Sequence, residues 1–349
     1  MKVAIDARLI AGTSTGDSTY WTCFLEAFTQ LYPEVELICI SNRSKPLGVP
    51  WLENISWLNV PAKTEQWWSM VTLPLAARKV GANLLHVQYA LSPLAKNGIS
   101  TVHDVSFMIE PAWFSVQDQT LLKMGVELAS RKAKRIVTVS ETSKSEILRF
   151  FPKAKVKTRV ATNACPPWIQ RASPEQVSRV LDSHGITGPY AFTVGTNWAR
   201  KNMKLAVEAT REAGCQLVVT GKQGGELAAN HVRATGYVDT DVLSALYTSA
   251  TLYLAPSLHE GFGIPIVEAM RCGTPVVCGP GGAMPEVAGT AGFVMPDYDT
   301  ATWAKAVRKL LNDPSKLSEL SMRGTEREAE FTWSRSAQAH YEVYREVVK

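Results

Sequence analysis

The sequence predicts an α/β protein built from two Rossmann-like, doubly wound units. Short apolar runs alternate with amphipathic segments, as expected for parallel sheets covered by helices on both faces. The alternation forms two series, separated by a linker rich in proline and polar residues at 165–175. The length of 349 residues also favours two domains. Two such units joined by a linker predict a cleft between domains.

The first series opens with the segment KVAIDA at 2–7. Asp6 interrupts its apolar run, which argues against a signal peptide and for a buried first strand. Further apolar strands are expected at 36–42, 83–88, 99–104, 135–140 and 156–163. Amphipathic helices fit between them at 17–30, 66–80, 116–132 and 141–150.

The second series follows the linker. Its strands are expected at 190–196, 215–221, 232–238, 250–257 and 274–279. Its helices are expected at 202–213, 240–249, 264–272 and 300–312. A final helix at 334–348 follows a break at 331–333. The pattern alone leaves open whether this helix packs on the second unit or returns to the first.

The composition limits which classes of protein the chain can belong to. With 46% apolar and 20% charged residues, the chain resembles an ordinary soluble globular protein. No apolar run in the sequence approaches the roughly 18–20 residues that span a bilayer. The six cysteines form no CxxC pair and lie mostly in apolar contexts, so we expect reduced core residues in a cytosolic protein.

The net charge of +5 is unevenly distributed. Residues 1–165 carry 19 Lys and Arg against 13 Asp and Glu, a balance of +6. A basic first half fits contact with nucleic acid, an anionic membrane or a phosphorylated substrate. An ordinary solvated surface explains the same count equally well.

The most informative segment is HEGFGIPIVEAM at 259–270. Glu260 lies in the loop after the strand at 250–257, and Glu268 lies about one turn into the next helix. Ligands of open α/β sheets bind at this edge, where helix N-terminal amides favour anions. We therefore expect both acids to face a ligand whose phosphates lie between them. The alternative for Glu268 is a surface acid.

Two adjacent cations follow another strand, in the segment GTNWARKN at 195–202. Arg200 suits bidentate contact with phosphate, and Lys201 acts as a point charge. A helix expected to begin at Asn202 adds its positive end. The segment predicts a phosphate site, with a solvated surface pair as the alternative.

Two loops of the first half are further candidates. In the segment at 8–21, Gly12 and Gly16 flank small polar residues before a helix, which lets backbone amides approach a phosphate or sugar. His103 and Asp104 end a strand at the same edge of the sheet, and the acid is placed to orient the imidazole. A tight connection and a structural histidine are the alternatives.

Other chemistries lack support in the sequence. Asp239-Thr240-Asp241 reads as a metal-binding DxD, but it opens a helix, so N-capping by Asp239 is the better interpretation. Glu286, after the glycine-rich turn at 279–282, is interpreted as an acid at a helix N-terminus. The sequence contains no HExxH, GxxxxGK[ST] or GxSxG pattern, and no His/Cys cluster at metal spacing.

Together these segments resemble the retaining GT-B glycosyltransferases of group 1, family 4, which include bacterial mannosyl- and glucosyltransferases of O-antigen, capsule and phosphoinositide mannoside synthesis. The carrying segments are PSLHEGFGIPIVEAMRCGTPVV, GT…RKN, HD, VSETSK and FTWSRSAQAHYEVY. The resemblance implies an acceptor-side domain at 1–168 and a nucleotide-sugar domain at 169–331. It also implies that the closing helix, at 332–349, crosses back to the first domain.

The resemblance also implies roles for single residues. Arg200 and Lys201 would bind the donor diphosphate, and Glu268 would hold the ribose hydroxyls. Glu260 would hold hydroxyls of the donor sugar, and His103 would contact that sugar near its C6 hydroxyl. The remaining donor contacts implied are Gly16, Gly195, Tyr237, Val238, Gly261, Phe262, Gly263 and Ile264.

These roles predict a metal-independent retaining transferase that needs no cofactor. It would move a hexose, with mannose favoured, from a nucleotide diphosphate sugar to a glycan or lipid-linked acceptor. GDP-mannose is the favoured donor, and UDP sugars stay open. Where the family usually reads Gly-Ile-Gly-Arg-Tyr, this chain has Gly16-Asp17-Ser18-Thr19-Tyr20, without the second glycine and the arginine, and Ala164 replaces a glycine. The alternatives are therefore a nucleotide-sugar-binding protein without transferase activity and a GT-B-like sugar-nucleotide epimerase.

We expect a cytoplasmic protein without a nucleic-acid partner. Peripheral contact with the inner face of the membrane is a further hypothesis. It rests on the basic segments at 131–135 and 153–157 and on Trp51, Trp57, Trp67 and Trp68. Against it, the first segment closes a helix, where cations complement the dipole, and Trp67 or Trp68 fits a core position.

Overall fold

The computed structural model describes residues 1–10, 16–196, 198–221 and 229–349. The chain divides into two compact units. The first unit comprises Met1–Asn163 and Thr332–Lys349, and the second comprises Ala164–Phe331. The division by contacts thus falls at 163/164, whereas the predicted domains divide at 168/169.

The first unit contains a seven-stranded sheet in which all neighbouring strands are parallel. The strand order is β3-β2-β1-β4-β5-β6-β7, so the direction of winding reverses between β1 and β4. The strands are β1 Lys2–Asp6, β2 Glu36–Ser41, β3 Ser56–Asn59, β4 Leu84–Gln88, β5 Gly98–Thr101, β6 Arg135–Thr138 and β7 Thr158–Val160.

Helices cover both faces of this sheet. They are α1 Gly16–Leu31, α2 Glu65–Trp67, α3 Leu73–Lys79, α4 Ser106–Ile109, α5 Val116–Lys132 and α6 Glu141–Phe150. A π-helical turn at Trp68–Thr72 joins α2 to α3, and short 3-10 turns lie at Pro50–Leu52, Pro111–Trp113 and Pro152–Ala154. The predicted helix at 66–80 is therefore confirmed as one continuous helical segment, with a π-helical turn in its middle.

The second unit repeats the plan with six parallel strands in the order β10-β9-β8-β11-β12-β13. These are β8 Tyr190–Val194, β9 Gln216–Thr220, β10 Val232–Gly236, β11 Leu252–Ala255, β12 Val276–Cys278 and β13 Phe293–Val294. The helices are α7 Pro174–His184, α8 Met203–Ala213, α9 Thr240–Ser249, α10 Ile264–Arg271, α11 Met284–Ala288, α12 Thr300–Leu311 and α13 Pro314–Glu328. Among the residues of this unit that the structure describes, 3-10 turns lie at Ala199–Lys201 and Gly289–Ala291.

The last helix, α14 Trp333–Val348, belongs to the first unit, as the resemblance predicted. It packs along α1, and the ring of Tyr341 stacks on that of Tyr32, the residue after α1, with centroids 3.9 Å apart. His340 and Tyr344 enter the core on the same face of the helix, because they are four residues apart. The doubly wound α/β prediction is confirmed for both units.

Each sheet is buried on both faces, which explains why its strands read as continuous apolar runs. One face of the first sheet packs residues such as Ile38 and Val102 against Trp68 and Val126. The opposite face packs on the aromatic side of α1, which is fully buried at Phe24. No helix among the described residues is both long enough and apolar enough to cross a bilayer.

Candidate functional site

The candidate site of the second unit lies where its strand order reverses, between β8 and β11. The loop after β8 carries Arg200 and Lys201, and the loop after β11 carries Glu260. A backbone hydrogen bond from Leu258 N to Arg200 O, 2.8 Å long, joins the two loops. The carboxyl edge at such a reversal is the ligand-binding position of open α/β sheets.

Both cations converge on one carboxylate. Arg200 donates to Oε2 of Glu260 at 3.0 Å, and Lys201 donates to Oε1 at 2.6 Å. The same guanidinium nitrogen of Arg200 also donates to the carbonyl of His259 at 2.6 Å. The three charged side chains are only 14–18% exposed. The alternative of a solvated surface pair is therefore wrong.

The electrostatics of Glu260 follow from this geometry. Burial disfavours the charged carboxylate, but the nearby Lys201 and Arg200 outweigh burial and lower the pKa of Glu260 to about 2. The acid is therefore ionised at neutral pH. With two cations and one anion, the cluster carries a net charge of 2 − 1 = +1.

Close backbone packing positions both loops. Gly195 follows β8, and a Cβ on Gly221 would lie 2.4 Å from its carbonyl oxygen. Near Glu260, a Cβ on Gly282 would lie 2.3 Å from the Glu260 carbonyl, and one on Gly281 would lie 1.9 Å from the carbonyl of Leu258. A side chain at Gly221, Gly281 or Gly282 would therefore collide with the neighbouring backbone, so these positions require glycine.

Tyr298 holds the loop of Glu260 against the glycine-rich turn. Its hydroxyl donates to the carbonyl of Ser257 at 2.7 Å and accepts from the amide of Gly281 at 3.0 Å. Ala283 N donates to Glu260 O at 2.8 Å. The turn therefore fixes the backbone that carries the acid.

The residues between the two acids form the entry to α10. Gly263 has φ +97°, in the left-handed region, and the helix begins at Ile264. Phe262 is buried with its ring at 5.4 Å from Phe331, so its side chain is part of the core. The backbone of Gly261 to Gly263 is what these residues can present to a ligand.

Glu268 is buried in α10, so its interpretation as a surface acid is wrong. The hydroxyl of Tyr247, on α9, donates to its Oε2 at 2.7 Å. Burial raises the pKa of Glu268 to about 7, although the Tyr247 hydrogen bond and the charge of Lys201 act to lower it. The two acids of the segment therefore differ, since Glu260 is firmly ionised and Glu268 titrates near neutrality.

The remaining predicted residues of this unit follow the carboxyl ends of β10 and β12. Tyr237 follows β10 and is 74% exposed. Asp239 caps α9 by accepting from Val242 N at 2.9 Å, which confirms its predicted role. Glu286 lies in the first turn of α11, as expected.

The first unit has a candidate site of its own at the end of β5. His103 follows β5, is buried, and has Nε2 at 3.6 Å from Oδ1 of Asp17. The ring of Tyr20 meets its ring edge-on, with centroids 4.7 Å apart. The predicted orienting role of Asp104 is wrong, because its carboxylate accepts from the Ser106 amide at 2.8 Å and so caps the next turn.

Gly16 is the first residue of α1, and no heavy atom lies within 4 Å of the Cβ position it would have. Its space is compatible with close approach of a ligand, but nothing in the fold requires glycine there. The other predicted glycine of that loop, Gly12, lies outside the described residues.

Comparison with known proteins shows which family the chain resembles. Residues 188–313 match the family described as Glycosyl transferases group 1. O-antigen chain mannosyltransferase B of Escherichia coli is 29% identical over 256 residues, which cover 68% of this chain and 67% of that protein. Over residues 188–313 the chain is thus similar to the group 1 glycosyltransferases, and its relatives indicate a hexosyltransferase.

Further relatives agree with this family. The serotype-specific mannosyltransferase WbdA of Escherichia coli is 23% identical over 59% of this chain, and the match spans only 28% of WbdA. Anabaena Alr3699/HepE in complex with UDP and glucose superimposes with a TM-score of 0.78 at 18% identity, over 99% of both chains. WaaG, a glycosyltransferase involved in lipopolysaccharide biosynthesis, gives 0.75 at 12% identity, over 98% of this chain and 99% of that one. The GT-B fold is thereby confirmed.

Within this glycosyltransferase, the sequence analysis missed three tyrosines that shape the site. Tyr247 donates a hydrogen bond to Glu268, and Tyr298 donates one to the loop that carries Glu260. Tyr253 and Lys201 line the same small pocket. All three lie in apolar or turn segments, where a tyrosine that packs in the core has the same local pattern. No signal in the sequence distinguishes these roles.

Proposed function

We propose that this glycosyltransferase moves a hexose, specifically mannose, from a nucleotide diphosphate sugar to a glycan or lipid-linked acceptor. The observation that carries the proposal is the convergence of Arg200 and Lys201 on Glu260, at the carboxyl edge of the second sheet. Two adjacent cations at this edge provide what a diphosphate requires. The donor would therefore bind on the second unit, with its phosphates beside both cations.

The charge of the cluster suits a leaving diphosphate. Negative charge develops on the phosphates as the glycosidic bond breaks, and preorganised cations in a partly buried site stabilise it. Arg200 and Lys201 are already held by Glu260, so their side chains lose little freedom when phosphates arrive. On this proposal, the two cations perform the charge stabilisation that a metal ion supplies in other transferases.

The other roles in the proposal follow the positions of the residues. Glu268 would accept hydrogen bonds from the ribose, and Glu260 with the amides of Gly261 to Gly263 would hold the donor sugar. The base would lie near Tyr237 and Val238. The contact of His103 with the donor sugar, the contacts of Gly16 and Gly195 with phosphate, and retention of configuration stay predictions.

The nucleotide can be identified by a thermal-shift panel of GDP, UDP, ADP and TDP. The nucleotide that binds the folded protein most tightly raises its melting temperature most, by mass action. Relatives named mannosyltransferases support GDP-mannose, whereas the Anabaena structure was solved with UDP. A larger shift with UDP than with GDP would redirect the proposal to a UDP sugar.

The transfer itself is tested by product analysis. The chain is incubated with GDP-mannose, with and without a mannose-terminated acceptor, in the presence of EDTA. We expect a lengthened acceptor whose new linkage keeps the donor's anomeric configuration. Nucleotide binding without a product would favour a binding protein, and conversion of the donor alone would favour an epimerase. Loss of transfer in EDTA would contradict the metal-independent mechanism.

We further propose that the first unit contacts an anionic membrane. Helix α5 exposes two apolar side chains, Val116, which is 81% exposed, and Met124, which is 64% exposed. The same helix carries the basic residue Lys123. Trp67 is 53% exposed, but Trp68 is fully buried, so its predicted membrane role is wrong.

The membrane contact is tested by sedimentation with phosphatidylglycerol vesicles at low salt. Binding should weaken as salt screens the charges, and it should weaken again in Met124→Ser. Met322→Ser, at an exposed methionine of the second unit, is the matched control and should bind as wild type. Failure of the wild-type chain to sediment with the vesicles would reject the contact.

A further inference from the structure

We propose that Tyr247 is a positioning residue, which holds one oxygen of Glu268 so that the other is presented to the ribose hydroxyls of the nucleotide. The inference rests on the role proposed above for Glu268. It adds to that role a residue on a different helix. The chemical group recognised is the vicinal diol of a ribonucleoside diphosphate.

The geometry around Tyr247 fixes the position of its hydroxyl. Its side chain is fully buried, and its hydroxyl lies 2.7 Å from Oε2 of Glu268. The tyrosine ring meets Phe192 edge-on with centroids 5.0 Å apart, and it lies 5.5 Å from the ring of Tyr253. Because the ring is held on two sides, the hydroxyl cannot turn away without repacking the core.

The hydrogen bond serves the chemistry of diol recognition. Two ribose hydroxyls can both donate to a carboxylate, whereas a protonated acid has fewer acceptor positions and carries a donor of its own. Burial works against the charged form of Glu268, and donation by Tyr247 favours it. Tyr247 therefore orients the carboxylate and also stabilises its ionised form.

The groups that surround Glu268 come from several elements. Lys201 lies in the 3-10 turn after β8, Tyr253 on β11, Cys165 in the linker and Cys272 at the end of α10. Burial raises the pKa of both thiols and of the Tyr253 hydroxyl, so these three stay neutral between pH 6 and 9. The phosphate of the nucleotide also titrates in this range, but equally for every variant, so a difference in pH profile between wild type and Tyr247→Phe is assigned to the carboxylate of Glu268.

The test is calorimetric titration of the full chain with GDP and with UDP, between pH 6 and 9. Tyr247→Phe keeps the ring and removes the hydroxyl. We expect about tenfold weaker binding at pH 7, because a hydrogen bond to a charged group is lost. The affinity should return toward the wild-type value at pH 9, where Glu268 ionises without help. Unchanged binding at pH 7 would overturn the proposal.

A matched control is available at Tyr190, a tyrosine of β8 that hydrogen-bonds the same helix. The hydroxyl of Tyr190 bonds the carbonyl of Leu246 and the hydroxyl of Ser249, both in α9, at 2.8 and 2.7 Å. Tyr190→Phe thus removes a comparable buried hydroxyl that anchors α9. It should lower the melting temperature while leaving the pH profile of nucleotide affinity unchanged. The same loss of affinity in this variant would show that general loosening of α9 explains the effect.

A second variant separates this inference from the proposed function. Glu268→Gln removes the charge, and a 2′,3′-dideoxynucleoside diphosphate removes the diol. If Glu268→Gln binds GDP and UDP as wild type does, the ribose role of Glu268 fails. If Glu268→Gln weakens binding but Tyr247→Phe does not, only the positioning role fails. We expect the dideoxy compound to bind wild type and Tyr247→Phe with similar affinity, since neither then uses the carboxylate.

Discussion

The hydroxyl of Tyr20 lies 2.7 Å from Nε2 of His340, which is 320 residues later in the chain, and so ties α1 to the closing helix α14. The same hydroxyl lies 2.9 Å from Oγ1 of Thr101, which in turn lies 2.8 Å from Nε2 of His86. Nδ1 of His86 lies 2.7 Å from the hydroxyl of Tyr344, again on α14. A continuous buried polar chain therefore anchors the returning helix to the first unit.

This polar chain predicts that acid destabilises the first unit. Burial lowers the pKa of His340 to about 4 and that of His86 well below its usual value. The unfolded chain binds protons at both imidazoles near pH 6.5, but the native chain does not. The free energy of unfolding should therefore be highest above pH 6.5 and decrease as the pH drops toward 4. His340 alone should account for roughly 3 kcal/mol of this decrease. Urea unfolding followed by circular dichroism between pH 7.5 and 5 measures the fall.

The matched variant is His340→Gln, which keeps hydrogen-bonding groups and removes the titration. It should be less stable at pH 7.5 but lose less further stability on acidification. His184→Gln, at the end of α7 in the second unit, serves as the control and should keep the wild-type slope. A wild-type slope in His340→Gln would contradict the assignment.

A second stability prediction concerns the buried ion pair between α10 and α13. Arg271 donates to Oε1 of Glu328 at 2.5 Å, and Glu328 is only 6% exposed. Arg271→Met leaves a buried carboxylate without its cation and should cost about 3–5 kcal/mol of unfolding free energy. Lys204→Ala breaks an exposed pair with Glu208 and should cost about 1 kcal/mol or less. Chemical denaturation compares the two.

The double variant Arg271→Met/Glu328→Leu tests the reason for that cost. Removing both charges removes the penalty of an unpaired buried charge, so the double variant should be more stable than Arg271→Met alone. If the double variant is the less stable of the two, the cost of Arg271→Met comes from lost packing of the arginine stem.

The sequence allowed the central strands and most helices to be predicted, because parallel strands buried on both faces are continuous apolar runs. It missed β3 and β13, an edge strand with half-exposed residues and a strand of two residues. The helices expected from the sequence also did not include α4, α11 and α13, or α7, which begins inside the predicted linker. Ser173 caps that helix and Pro174 is its first residue, so a local signal existed there.

The candidate site was predictable only in part, for a physical reason. Position at the carboxyl ends of strands marks Arg200, Lys201 and Glu260, because parallel strands end at a common edge. The pairing of both cations with one acid depends on the distance between two loops about 60 residues apart. The bond from Tyr247 to Glu268 joins two helices, and a buried tyrosine on an amphipathic helix carries no local sign of its partner.

Replacement of Lys201 tests the cation cluster. Lys201→Ala removes one of the two groups that would stabilise the leaving diphosphate, and it should lower kcat/KM about 10²–10³-fold. Stability should change little, because Arg200 still pairs with Glu260. Lys204→Ala, on the exposed face of α8, should keep wild-type kcat/KM. Equal kcat/KM in the two variants would show that Lys201 does not contribute to catalysis.

The glycine turn beside Glu260 provides a prediction with an unusually close control. Gly282 has φ +60° and Gly214 has φ +72°, so alanine at either position meets similar backbone strain, about 1 kcal/mol. Only at Gly282 does the new Cβ also collide, at 2.3 Å from the carbonyl oxygen of Glu260, whereas nothing lies within 4 Å at Gly214. Gly282→Ala must therefore displace the loop that carries the acid.

We expect Gly214→Ala to lower the melting temperature while nucleotide affinity and kcat/KM stay at the wild-type level. Gly282→Ala should lower the melting temperature further and weaken nucleotide binding, because the carboxylate of Glu260 no longer aligns Arg200 and Lys201. The difference between the two variants isolates the collision from the strain that both share. Wild-type nucleotide affinity in Gly282→Ala would mean that the position of this loop does not govern donor binding.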